Sequence, residues 1–206
     1  MKYGLALLAA AAMATAAAAG PVTTPPATIT ALGGNVTAIY VFADAGDSSI
    51  LGLGAPSPSV PQIFCNHPTG ACTTAGMPGD VMSLGNRSGM LTFTLSNNTK
   101  GMMYDTVNPD GDGNYHAMIT TNYADFGVGA LSSALMTQLA GYSNVTFVGF
   151  EDRNMAEGSD WDYNDLIFAF SNTAPNNNPG VPEPLTLSLL GAGLAGVFGL
   201  RRLKKR

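Results

Sequence analysis

Two short stretches of this chain gather oxygen-bearing side chains at a spacing that suits a hard cation. The first is NPDGDGNYH, in which Asn108, Asp110, Asp112 and Asn114 occupy alternate positions of a Gly-rich loop. Counted from Asn108, Gly113 falls where a calcium loop makes its sharp turn. Position twelve is Ile119, however, where an EF-hand requires a bidentate Glu, so this is not an EF-hand. Asp, Asn and Gly are also the usual turn formers, and a polar turn leading into a strand accounts for the same residues. Both readings, cation loop and plain turn, stay open at this point.

The second stretch is GFEDRNMAEGSDWDYNDLIFAF. Glu151 and Asp152 close one β-type run, and Asp160, Asp162, Asn164 and Asp165 open the next. If the two runs pair as neighbours, their connection carries all six groups to one edge. Counting Glu157, six acids then face Arg153 alone, and they repel unless a cation or backbone N–H groups compensate. Calcium takes six to eight oxygens in irregular geometry, whereas magnesium needs a strict octahedron, so calcium is the expected ion. The competing account has some of these carboxylates capping turns and binding backbone amides.

Catalysis is a weaker fit. Paired carboxylates can act as glycosidase acid and base, and a secreted glycan-active enzyme using the acidic cluster is the alternative function. A sugar cleft is usually lined with aromatics, yet the chain has one tryptophan, Trp161, inside the cluster. Tyr40, Tyr104, Tyr115, Tyr123, Tyr142 and Tyr163 can stack on sugars only where strands do not bury them. His67 and His116 are the only histidines. His116 follows the first acidic loop and is expected to serve the core or a turn. No nucleophile motif is present. No catalytic residue is assigned, and the expectation is a non-catalytic protein.

The elements that must position these acids read as strands. MLTFTL alternates Leu91, Phe93 and Leu95 against Thr92 and Thr94, the period of a half-buried strand. VTAIYVFA at 36–43, YHAMIT at 115–120, VTFVGF at 145–150 and DLIFAFS at 165–171 are β-branched or aromatic runs between turn residues. Ala130 to Ala140 spaces Leu131, Leu135 and Leu139 four apart, which predicts a short helix closed by Gly141. Residues 52–89 are rich in Pro, Gly, Ser and Thr and read as long loops. The expected fold is mainly β, an antiparallel sandwich or jelly roll with one short helix, spanning residues 21–171. Cys65 and Cys72, in CNHPTGAC, are expected to form a disulfide in an oxidising compartment. A Cys-His-Cys metal site through His67 is the rival reading, with an incomplete zinc shell.

Both ends of the chain read as addresses. Lys2, an apolar run from Leu5 to about Ala12, and then ATAAAAG form a secretory signal over residues 1–20. Pro21, Pro25 and Pro26 would stop a helix that ran on. At the other end Val181-Pro182-Glu183-Pro184 precedes sixteen uncharged residues, Leu185 to Leu200, and then Arg201, Arg202, Lys204, Lys205 and Arg206. A helix over 185–200 is about 24 Å long, short for a hydrocarbon core of about 30 Å, and spans if the basic end snorkels. The cations then stay inside and the body outside. Residues 172–180, NTAPNNNPG, read as a flexible neck. The whole chain carries a net charge of −5. With both ends removed, three cations (Arg87, Lys100 and Arg153) face thirteen acids, so the body carries about −10. Such a body is not expected to bind nucleic acid, whose phosphates demand cations.

The order of motif, uncharged helix and Arg-rich stop over residues 181–206 resembles the PEP-CTERM sorting signal of Gram-negative bacteria. The resemblance implies processing by an exosortase near the motif and association with exopolysaccharide or biofilm. It also implies passage through an inner-membrane-anchored state, body in the periplasm, to the outer surface or extracellular matrix. The body has a second likeness. Gly149 to Asp152, Asp160 to Asp165 and the upstream Asn108 to Ala117 resemble the G-x-E-D, D-x-D-Y-N-D and N-P-D-G…H-A elements of domain-of-unknown-function family 4114, over about residues 85–171. The upstream element carries an extra Gly-Asn, and Arg153 replaces the usual apolar residue after Glu-Asp. This likeness implies a β-sandwich with a calcium dependence and no enzyme activity.

Overall fold

Strands dominate this chain because its apolar residues recur with a period of two, or run unbroken over five or six positions. A computed structural model describes residues 20–70 and 72–176. Among them lie nine strands: β1 (Thr28–Ala43), β2 (Ser49–Ala55), β3 (Val60–Cys65), β4 (Val81–Asn97), β5 (Met102–Asp105), β6 (Ala117–Thr120), β7 (Thr146–Phe150), β8 (Leu166–Phe170) and β9 (Thr173–Asn176). One α-helix, α1 (Ser133–Ala140), and two 3-10 turns complete the described part. Every strand pairing is antiparallel, and the sheet runs β3-β2-β4-β1-β8-β7-β6, with β5 on β4 and β9 on β1.

The long strand β4 serves two neighbourhoods. Its first part pairs with β1, and its last part pairs with β2 and β5. The sheet doubles over so that Phe93 of β4 stacks on Phe170 of β8 with centroids 3.9 Å apart. Phe64 of β3 lies parallel to Phe168 of β8 at 6.1 Å, with Tyr40 of β1 edge-on to both. The main core fills this space. A second apolar layer covers the opposite face of β1, β7 and β8, where Ile39, Val41, Phe147, Ile167 and Ala169 meet Leu135 and Leu139 of α1 and Phe126. Burial on both faces is the reason the 145–150 and 165–171 runs do not alternate.

Several expectations need correction. Residues 52–89 are loop only in part: the described residues of 66–80 lie in no strand or helix, but the span also holds most of β2, all of β3 and half of β4. Gly52 lies so close to β3 that a Cβ would stand 2.9 Å from the carbonyl oxygen of Pro61, so glycine marks a tight strand contact there. The neck expected over 172–180 begins instead as β9, whose Thr173 to Asn176 pair with Thr28 to Ala31, so the domain runs past residue 171. The first strand starts at Thr28 instead of Val36. Gly33 and Gly34, at φ 91° and 95°, shift the register there and divide it to the eye. The helix starts at Ser133, after Ser132 caps it by accepting from the Leu135 N–H at 3.2 Å.

No helix among the described residues is long and apolar enough to cross a membrane. The signal segment, the apolar stretch 185–200 and the sorting motif Val181, Pro182, Glu183 and Pro184 lie outside the described residues.

Candidate metal centre

Pairing of β7 with β8 builds the site. Phe150 faces Leu166 in register, so Glu151 and Asp152 leave one strand beside Asp165 entering the other. The Asp152 N–H donates to Asp165 Oδ2 at 2.8 Å. Strand β1 adds to the same edge, because Ala43 pairs with Leu166 and the Asp44 N–H donates to the Asp165 carbonyl at 2.9 Å. Strand β6 pairs with β7, and the Glu151 N–H donates to the His116 carbonyl at 2.9 Å. The acidic loop 110–114 and the acidic loop 151–165 thus meet at one end of the sheet.

Glu151 is fully buried. Its Oε1 accepts from the Tyr163 N–H at 2.6 Å and its Oε2 from the Ser159 hydroxyl. These bonds hold a loop whose Trp161 and Tyr163 both sit in the left-handed region, at φ 60° and 57°. Between them Asp162 Oδ1 accepts from the Asn164 N–H at 3.2 Å, and the Asn164 amide group donates to Asp162 Oδ2. One oxygen each from Glu151, Asp160 and Asp162 lie within 4.8 Å of one another. Beside them a pocket of about 130 Å³ is lined by Asp44, Gly46, Glu151, Asp152, Arg153, Gly158, Ser159, Asp160 and Asp165.

The charge in this pocket is poorly balanced. Arg87 is buried, with Nε on the Leu84 carbonyl at 2.8 Å and Nη1 on the Pro56 and Pro58 carbonyls at 3.0 and 2.7 Å. Lys100 pairs with Glu157 at 2.6 Å. Arg153 pairs with Asp47 at 2.9 Å and reaches Asp152 only at 4.0 Å. Burial tends to raise the Asp47 carboxyl, but hydrogen bonds from Arg153 and Asn97 outweigh it and hold the group low. The other acids go the opposite way. Burial pushes Asp165 up to about 8, with the charges of Asp152, Glu151 and Asp160 adding to the rise. Burial also raises Glu151, Asp152 and Asp162, each with a neighbouring carboxylate adding to the rise. Three of these carboxyls, Glu151, Asp152 and Asp165, line one cavity, and ionised forms disfavoured in this way are what a bound cation relieves.

Not every predicted residue enters this centre. Glu151, Asp160 and Asp162 converge, and Asp152 and Asp165 line the adjoining pocket. Asn164 acts on Asp162, donating to it through its backbone N–H and its side-chain amide group. Asp110 and Asp112 stand with His116 in a separate group, whose ligand atoms also lie within 4.8 Å of one another. That loop is also a turn: the Gly113 N–H donates to the Asp110 carbonyl at 2.9 Å, and Asp112 Oδ1 accepts from the Asn114 N–H at 2.9 Å. Asn108 turns away and binds Asp105. Sequence reasoning missed Asp44, Asp47 and Ser159. Asp44 follows a recognised strand by one residue, which is the signal that would have placed it beside Asp165.

Cys65 and Cys72 are joined by a disulfide with Cα atoms 6.4 Å apart. They are therefore not metal ligands, and His67 Nε2 instead lies 2.9 Å from the Ala45 carbonyl. Tyr40, Tyr104, Tyr115 and Tyr163 are buried, so sugar stacking is left to Tyr123 and Tyr142, which are half-buried. Comparison with protein families, curated proteins and solved structures returns no match.

Proposed function

We propose that this chain is an exported, non-catalytic cell-surface or extracellular-matrix protein of a Gram-negative bacterium whose sandwich-like β domain is stabilised by calcium. The observation that carries the calcium reading is the convergence of Glu151, Asp160 and Asp162 beside a pocket lined by Asp44, Asp152 and Asp165, with Arg153 also in its lining. These are oxygen donors only, in an irregular loop, which suits calcium over magnesium. The export reading rests on the signal at residues 1–20 and on the likeness of residues 181–206 to an exosortase-processed tail. Exopolysaccharide is the proposed partner, in keeping with that tail and with an acidic body that a divalent ion can bridge to anionic sugars.

Melting the protein in calcium and in chelator tests the site. Calcium at a hundredfold excess over its Kd adds about 2.7 kcal/mol, or about 5–10 °C in Tm for a domain of this size. Equal melting temperatures would remove calcium from the proposal. Retention of the protein by isolated exopolysaccharide in calcium, and its release by chelator, tests the partner separately.

A further inference from the structure

We propose that Asp110, Asp112 and His116 form a second metal site of a different kind, one that takes zinc or a related transition ion through a nitrogen and two carboxylates. The inference goes beyond the calcium reading and does not depend on it.

The decisive residue is His116. Its side chain is 1% exposed, and among the described residues neither ring nitrogen makes a well-aligned hydrogen bond, although Asp112 and the backbone of Arg153 lie close by. A buried polar group without such a bond is rare, and its presence calls for a partner. The ring is also fixed in place. Tyr104 stacks on it with centroids 4.2 Å apart, and Trp161 lies against it at 5.0 Å.

His116 points at carboxylates. Nε2 stands 3.4 Å from Asp112 Oδ2, near enough for Coulomb attraction but without the direction of a hydrogen bond. That separation has another meaning. Two ligands each about 2.0–2.1 Å from a tetrahedral zinc ion lie about 3.3–3.4 Å apart. Asp110 supplies the third ligand atom. Asp112 is oriented from behind, since its Oδ1 accepts from the Asn114 N–H at 2.9 Å, the kind of outer support that ligating carboxylates receive. An imidazole with carboxylates suits zinc, cobalt or nickel, whereas calcium takes oxygen alone. Three protein ligands leave a coordination position on the solvent side, where the loop at Gly111 and Gly113 is exposed.

Trp161 is the only tryptophan of the chain and touches His116, so it reports on the site directly. The experiment titrates metal-stripped full chain with zinc, and separately with cobalt, in saturating calcium so that the acidic pocket is already filled. Zinc should bind one per chain and raise Tm. Cobalt should quench Trp161 and give the visible absorption of a nitrogen- and oxygen-ligated ion. His116→Gln should weaken zinc binding by about tenfold or more while the calcium-dependent rise in Tm is kept. Asp112→Asn, on the solvent edge, supplies a second variant with the same expected loss should His116→Gln not fold. Absence of both zinc stabilisation and cobalt quenching in the natural chain overturns the assignment, and so does unchanged zinc affinity in either variant. Loss of the calcium response alone would count against the calcium pocket and leave this site standing.

Discussion

The backbone N–H of Asp152 and Oδ2 of Asp165 are joined at 2.8 Å across the mouth of the β7–β8 pair. That bond holds Asp165 inside a ring of like charges, and with burial it sets how the protein responds to pH. The Asp165 carboxyl rises from 3.8 to about 8. Between those values the folded chain holds a proton that the unfolded chain releases, so stability falls as pH rises through this window. Glu151, Asp152 and Asp162 shift in the same direction. In chelator, Tm should therefore decline from about pH 4 to about pH 8. A calcium ion held by these carboxylates would favour the ionised form and should flatten the decline, and Asp165→Asn should flatten it without calcium. Circular-dichroism melts across this range check the point, and a metal-free Tm that climbs through the window contradicts it.

Gly149 of β7 packs tightly under the acidic loop. A Cβ there would overlap the carbonyl oxygen of Tyr163 and the ring of Phe126. The Tyr163 backbone cannot retreat easily, since its N–H is bound to Glu151 and its hydroxyl to the Tyr115 carbonyl at 3.1 Å. Gly149→Ala should cost about 3 kcal/mol by overpacking and should weaken calcium binding as the loop moves. Gly111→Ala meets nothing within 4 Å and should stay within about 0.5 kcal/mol of the parent. Urea denaturation of the two variants makes the comparison.

Much of this arrangement was legible in the residues, and the parts that were not have physical reasons. The acids at 151–152 and 160–165 sit at the ends of apolar runs, so strand pairing alone predicts that they meet. Leu91, Phe93 and Leu95 alternate because the opposite face of β4 is only partly covered. Strand β2 stayed hidden because Gly52 stands in it for a close approach of β3, a tertiary demand that local composition reports as a loop. Asp47 lies far from the cluster in sequence and joins it through Arg153 and through Asn97, whose amide group donates to Asp47 Oδ2 at 3.2 Å and to the Asp152 carbonyl at 2.6 Å. His116 looked like an ordinary core residue, and what sets it apart is the lack of a well-aligned hydrogen bond at each nitrogen, which no sequence pattern displays.

The disulfide offers a separate test of how the β2–β3 region is held. Cys65 and Cys72 are seven residues apart and pack with Ile50 in a small buried cluster. Closing so short a loop restricts the unfolded chain by about 2–3 kcal/mol. Reduction should lower the urea midpoint by the corresponding amount, and the Cys65→Ser, Cys72→Ser double variant should match the reduced protein. Asn66 adjoins this loop and accepts from the Ser49 N–H at 2.8 Å while donating to the Asp47 carbonyl at 2.8 Å. Reduction should therefore also loosen Asp47, seen as faster amide exchange at Ser49. An unchanged midpoint in reductant would show that packing alone holds the segment.

Arg153 makes the sharpest test of the acidic pocket, because its removal should move two measurements in opposite directions. Its guanidinium is bound to Asp47 at 2.9 Å and lies 4.0 Å from Asp152, and among the described residues it is the one cation lining the pocket. Without metal it offsets part of the repulsion among Asp152, Asp165 and Asp47. Arg153→Ala should thus lower the metal-free Tm, leaving Asp47 buried beside Asn97 without its charge partner. For a divalent ion the same guanidinium is a competitor. One unit charge acting on a divalent ion across ~7 Å of water-like dielectric is worth about 1 kcal/mol. Calcium affinity should accordingly rise about fivefold in Arg153→Ala at low salt, and the gain should shrink as salt screens it. A stabilising role without a cation site predicts the fall in Tm alone. Calorimetric titration of the variant and the parent separates the two, since only a divalent-ion pocket gives a less stable protein that binds calcium more tightly.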